Sequence, residues 1–474
     1  MLIFVRPYGI IRTDFLLERD GKMIKDKAFY REFFSLYVML VLQNVIVLGV
    51  NLADNIMIGS YSETALSGVA AVNQIQFVFQ QIIMGCGDAI VVLGSQYWGQ
   101  KRCTEVKKIS FSAMTLALSA AVILFTLALF IPEKVVGIFT PTDAIVASGV
   151  EYINIIKYTY IIFAITNVLL ATLRCVETVK IAFLVSLATL LINCSINFVL
   201  IEGRFGFPEL GVTGAAIGTL TARIIELVIV IIYVAFYDKK LNIKLSGYIK
   251  IDKKLYWDYM KIARSVVLVA AMFGVSTALQ TVILGHMSDA AIAANSVSTS
   301  LFQTLKVASI GASATTSVII GKAVGTGNIK KVKDYTKTLQ IMFIIIGAVT
   351  STLLFFLRIP ILSLYDLSAE TKYLANAFIL VLCVTGFGTA YQMPALTGIV
   401  RGGGDPDFIL KNDIISIWCI VLPVSFLAAF YWHWHPIAVV FCLNADQIFK
   451  CGAAAIKTNS YTWIKSLTRE KENG

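Results

Sequence analysis

The sequence predicts an all-α, polytopic membrane protein: twelve transmembrane helices in two parallel six-helix lobes related by a pseudo-two-fold axis along the membrane normal. Three observations carry this reading. The 474 residues are 57% hydrophobic and only 15% charged, against roughly half and a quarter in a soluble globular chain. The apolar residues gather in runs of about 20, the length that crosses a ~30 Å hydrocarbon core as a helix. A set of residue types also recurs at one fixed offset between the two halves of the chain. A secreted disulfide scaffold, a dinucleotide-binding α/β enzyme and a disordered chain are excluded on these grounds.

Taken in order, the first six runs cover 33–58, 69–94, 110–131, 152–174, 181–201 and 212–237. The second six cover 260–285, 295–321, 336–357, 373–400, 408–432 and 436–456. Residues 1–32 mix charge with short apolar patches and lack a cleavable small-residue site after a basic start. They read as a cytoplasmic N-terminal segment without a signal peptide, with Met23 as an alternative start. Lysine-rich 238–259 lacks a span-length run and reads as a cytoplasmic linker between an N-lobe, 33–237, and a C-lobe, 260–457; residues 458–474 form a cytoplasmic tail.

The basic residues orient the chain. Of 40 Lys and Arg, 32 fall in segments on the side of the N-terminus, Lys134, Arg204, Arg358 and Lys372 fall on the other side, and Lys157, Arg223, Lys306 and Lys450 lie inside spans. Both termini are therefore expected in the cytoplasm, with the chain in the cell's inner (plasma) membrane. The net charge of +11 is then met by anionic lipid headgroups, about 1 kcal/mol per basic residue, so membrane lipids are expected partners and nucleic acid is not. Eight cysteines without a CxxC pair and three histidines near span ends (His286, His433, His435) supply neither a disulfide framework nor a metal site. No cofactor is expected. An embedded enzyme would need a catalytic cluster or a Gly-flanked nucleophile, and the sequence carries neither.

Gly59, Ser62, Ala65, Gly85, Gly99, Val106 and Lys107 recur as Gly285, Ser288, Ala291, Gly311, Gly325, Val332 and Lys333, each 226 positions on. Arg174 matches Arg401 with one residue of added offset. Small residues also recur where membrane helices pack closely, but constant register over this stretch points to duplication. Six spans per copy is an even number, so both copies enter the membrane in the same sense, as in secondary transporters with a cavity between two lobes.

Several motifs resemble the multidrug and toxic compound extrusion (MATE) family over nearly the whole chain, 23–457. They are NLADNIMIG at 51–59 followed by ETAL at 63–66, SQYWGQK at 95–101, FGFPELGVTGAA at 205–216, RGGGD at 401–405, and Asn295 with its flanking alanines. The resemblance implies two six-helix lobes around a V-shaped cleft, exporting amphipathic organic cations by alternating access in exchange for protons or sodium ions. The chain departs from the family where many relatives have proline in the first and seventh spans: it has Met39 and Ser265. Where relatives have acidic residues in the seventh and tenth spans it has Ala270 and Ala390, so a sodium site of second-lobe carboxylates is not carried over.

An ionisable group within a span costs several kcal/mol unless paired or hydrated, which makes each one a functional candidate. Asp54 lies about 20 residues into the first span, hence in its outer part at ~1.5 Å rise per residue. Asn193 and Asn197 share a face of the fifth span at matching depth. The three are expected to form one cation-coupling site, the roles that the resemblance assigns to the aspartate and the first asparagine; Asn197 stands where some relatives have a second acidic residue. The position 226 after Asp54 is Gln280, so the second lobe lacks the charge. Gln74, Gln80, Gln280, Asn295 and Lys306 are expected to line the substrate cavity. Arg223–Glu226 and Asp446–Lys450 have the spacing of intrahelical ion pairs; Lys306 needs a partner, with Asp446 one possibility, and Asp88 beside Gly85 and Gly87 either packs or lines the cavity.

The expected function is secondary active export of organic cations by a chain that works as a monomer, coupled to H+ or Na+. The alternative is a flippase for lipid-linked saccharides from the same broad superfamily. That would favour several cationic side chains facing the cavity, and Lys306 is the one clear mid-span candidate.

Overall fold

The computed structural model describes residues 21–470, except 139, 141, 243–251, 364 and 366. Twelve helices are long and apolar enough to cross a membrane. The first six are Lys27–Tyr61, Glu63–Gly99, Cys103–Phe130, Asp143–Cys175, Lys180–Leu200 and Gly211–Tyr237. The second six are Lys253–Gly285, Ala290–Gly325, Ile329–Leu362, Ala369–Val400, Pro406–Tyr431 and Pro436–Ser460. They contain nine of the twelve expected runs whole, and the runs 110–131, 181–201 and 408–432 each pass the end of their helix by one residue. The first helix begins inside the segment read as an N-terminal extension and the seventh inside the one read as a linker. Residues 1–20 and most of that linker lie outside the described residues.

Capping fixes where the helices start, and it repeats. Ser62 ends the first helix and its Oγ accepts from the Ala65 amide at the start of the second. Ser288 does the same for Ala291 at the eighth. Each satisfies one of the orphan amides of a helix N-terminus, and the two caps are the expected repeat partners. Asp26, Asp252, Asn328 and Ser368 cap the first, seventh, ninth and tenth helices.

Burial has the same symmetry. The second and fourth helices and their repeat equivalents, the eighth and tenth, are the most enclosed, while apolar side chains such as Leu52, Ile56, Ile123, Phe356 and Val384 stand exposed on the outside. Because lipid is as apolar as leucine, close packing decides which faces meet.

The halves touch along the second helix, which packs on the seventh and eighth, and along the first, which packs on the eighth. At the face where the described chain begins and ends, a side chain at Gly99 would meet the carbonyl of Lys322, and one at Gly325 the carbonyl of Gln96. Lys322 is the repeat equivalent of Gln96, so the two contacts are images of each other about the pseudo-two-fold axis. Ser95 packs on its own equivalent, Gly321, and the axis passes between them.

The stretch after Ser460 straps this junction. Trp463 is fully buried, and Lys465 donates its amide to Gly403. The Gln96 side chain holds both the Lys465 carbonyl, at 3.1 Å, and the Leu467 amide, at 2.8 Å. Arg469 pairs with Asp258.

Candidate functional site

The first helix carries Asp54 past the fifth helix, whose two asparagines, one turn apart, both face it. Asn197 donates through Nδ2 to Asp54 Oδ1 at 2.6 Å and to Asn193 Oδ1 at 3.3 Å. Asn193 donates in turn to Thr219 Oγ1 on the sixth helix at 3.2 Å. Both asparagines are buried. Gly218 makes room for them: a side chain there would run into Asn197 Oδ1.

Asp54 opens into a cavity of about 60 Å³ bounded by the first, second, fourth, fifth and sixth helices, room for about four to six waters. Asn51, Asn73, Gln76, Gln80, Tyr152, Thr159, Tyr160, Phe163, Thr189, Asn193 and Arg223 share its lining with Asp54. Gln76 Nε2 and Tyr160 Oη on its wall, and Asn197 Oδ1 beside Asp54, are buried without a hydrogen-bond partner in the protein. Buried polar atoms are normally satisfied, so the wall is built to receive a polar or hydrated guest. Arg223 reaches in with its guanidinium 2.7 Å from Glu226, the intrahelical pair expected, and over the Phe163 ring at 5.1 Å.

Of the residues expected to line a substrate cavity, Gln80 borders this first-lobe cavity. Gln74 is exposed and does not border it, whereas its neighbours Asn73 and Gln76 do. Neither Gln280 nor Asn295 lines this cavity; Asn295 accepts a hydrogen bond from Thr299 one turn on. Lys306 lines a separate space of about 10 Å³, roughly one water, with Phe302, Ser309, Thr350, Ser351 and Thr389. Its ammonium stands 5.3 Å from the Phe273 ring centroid. Asp446 pairs with Lys450 at 3.1 Å rather than with Lys306, and Lys450 also reaches Asp413 at 2.8 Å.

Asp88 turns out neither to line the cavity nor simply to pack: it pairs with Arg174 at 2.8 Å and Arg401 at 2.9 Å. The aromatic and hydroxyl part of the wall, Tyr152, Thr159, Tyr160 and Phe163, was not foreseen. A polar and aromatic stripe at 152, 159, 160 and 163 on the fourth helix is the signal that could have found it.

The MatE family model matches residues 40–199 and 266–427. The two segments begin at the repeat offset from each other. A probable multidrug resistance protein NorM of Thermotoga maritima is 23% identical over 446 residues, covering 93% of this chain and 95% of the relative. One from Listeria innocua is 24% identical, covering 85% and 88%. Among solved structures, a variant of the Vibrio cholerae MATE transporter VcmN superposes with a TM-score of 0.83 at 16% identity, covering 93% and 98%. An outward-facing multidrug resistance MATE family transporter gives 0.82 at 16%, with the same coverage.

Proposed function

Because this chain belongs to the MatE family, we propose that it is a multidrug exporter that expels amphipathic organic cations in exchange for protons through the first-lobe cavity, sodium being the other candidate ion. One observation carries the reading: a single carboxylate, Asp54, held by Asn197 at the wall of a polar and aromatic cavity. A carboxylate whose hydration changes between two conformations takes up and gives off a proton, and a cation on the same cavity wall competes for its charge. Tyr152 and Tyr160 on the same wall supply aromatic surface for that cation.

In this reading, residues 33–237 and 260–457 are the two lobes that rock against each other, joined by 238–259 and flanked by 1–32 and 458–474. The chain-end face is cytoplasmic, as the excess of Lys and Arg on that side supports, and the protein acts as a monomer in the plasma membrane. The Gly99 and Gly325 contacts and the Asp88 ion pairs close the cytoplasmic side while the cavity discharges outward. Expression in a bacterial host lacking its own drug pumps tests the function: the parent lowers ethidium accumulation, and Asp54→Asn, at equal membrane abundance, does not. Equal efflux by the variant would remove Asp54 from the mechanism.

A further inference from the structure

The cavity beside Asp54 already holds a cation of its own. Arg223 lines it, with its guanidinium over the Phe163 ring and 2.7 Å from the buried Glu226. Asp54 and Arg223 are the lining residues with acidic or basic side chains. With Glu226 counted, the fixed charge equals that of one carboxylate when Asp54 is ionised and zero when it is protonated.

We propose that the Arg223–Glu226 pair restricts this cavity to monovalent cations by holding its fixed charge at that of Asp54 alone. The proposal rests on the reading of Asp54 as the coupling carboxylate and adds to it the charge of the substrate. One proton on Asp54, or one monovalent organic cation beside it, neutralises the site; a dication leaves it positive. Net charge enclosed in a membrane protein costs several kcal/mol, so the two neutral, loaded states are the ones that pass between the two sides. The empty ionised site and the dication-loaded site are held back. A proton then enters Asp54 from one aqueous side and leaves to the other, one cation moves the opposite way, and no net charge crosses. Arg223 also covers the ring face of Phe163, so a substrate cation is left the remaining aromatic surface.

Ethidium and propidium share a ring system and carry one and two fixed charges, and their binding to the full-length purified protein tests the proposal. The parent should prefer ethidium. Arg223→Gln, which brings the fixed charge to two carboxylates, should move the ethidium-to-propidium affinity ratio towards propidium by roughly tenfold or more. The double variant Arg223→Gln/Glu226→Gln restores the single charge and should restore the parent's ratio. Gln80→Glu adds a carboxylate to the wall with the pair intact; it should shift the ratio as Arg223→Gln does, and serves if that variant does not fold. An unmoved ratio in the charge-adding variants, or a double variant that still favours propidium, overturns the proposal. Asp54→Asn separates the two readings: if it binds ethidium as the parent does, the coupling site itself is misassigned. If it loses ethidium while the ratios stay unmoved, only the charge rule fails.

Discussion

Arg174 and Arg401, repeat equivalents on opposite halves of the chain, donate to the two oxygens of one carboxylate: Arg174 Nη2 to Asp88 Oδ1 at 2.8 Å and Arg401 Nη2 to Oδ2 at 2.9 Å. The symmetry of the arginines is not shared by their acceptor, since the position 226 after Asp88 is Ala314. A single acid near the pseudo-two-fold axis therefore ties the fourth and tenth helices together through the second.

Asp88→Asn leaves two guanidiniums facing each other across that junction. With the carboxylate side chain 30% exposed, the cost is expected nearer the middle of the range between surface and buried pairs, about 1–3 kcal/mol. Thermal unfolding in detergent should show a lower midpoint, and Asp88→Glu should recover part of it. A midpoint equal to the parent's would mean that the pairs do not hold the halves together.

Gly99 and Gly325 allow backbone to approach backbone where the second and eighth helices cross. Alanine normally stabilises a helix interior relative to glycine by about 0.5–1 kcal/mol, yet here its methyl would overlap the opposing carbonyl. Gly325→Ala is expected to lower the melting midpoint, with overpacking costs of about 1–3 kcal/mol. Gly285→Ala, with nothing within 4 Å of the added carbon, is expected to leave it unchanged or raise it.

The tail strap responds to pH through Asp405. Burial pushes its carboxyl up, but the hydrogen bonds and charges of Lys465 and Lys457, at 2.8 and 2.9 Å, outweigh that and hold it below the usual carboxylate range. A carboxyl lowered in the folded state contributes stability above its unfolded pKa and loses it as pH falls through the folded value. Hydrogen exchange in 461–470 is thus expected to stay slow at neutral pH and to quicken only below about pH 4. In Asp405→Asn it should already be fast at pH 7. Trp463→Ala should free the same segment at every pH, at about 3–5 kcal/mol for a buried tryptophan.

Asn197→Ala takes the donor away from Asp54 and from Asn193 together. Leaving buried polar groups unpaired costs about 1–3 kcal/mol each, and Asp54 loses the contact that orients it. Gradient-driven efflux is expected to fall about tenfold, and less in Asn193→Ala, because the Asn193 contacts run to Asn197 and Thr219. Parent-like rates in Asn197→Ala would show that Asp54 does not depend on this hydrogen bond.

Much of the fold was legible because a membrane imposes it. Runs of about 20 apolar residues have few alternatives to a spanning helix, and the 226-residue offset pairs Ser62 with Ser288 and Gly99 with Gly325 in the sequence itself. The grouping of Asp54, Asn193 and Asn197 followed from depth along two parallel helices and one helical face. Rotation about the helix axis was harder to read. That Asn73 and Gln76, rather than Gln74, border the first-lobe cavity is not legible, because a helix polar at 73, 74 and 76 offers no hydrophobic contrast to set its facing. Asp88 could not be paired with Arg174 and Arg401 from spacing, since the three lie on separate helices and Arg401 belongs to the other half of the chain.

The measurement that tests the central claim most directly is transport of a fluorescent organic cation by purified protein in liposomes, under an imposed pH gradient and separately under a sodium gradient, for the parent and Asp54→Asn. The account predicts transport driven by the pH gradient and lost in the variant. Transport that needs sodium and survives in Asp54→Asn would contradict it, and folded parent protein that moves no cation under either gradient would shift the assignment towards lipid-linked saccharides.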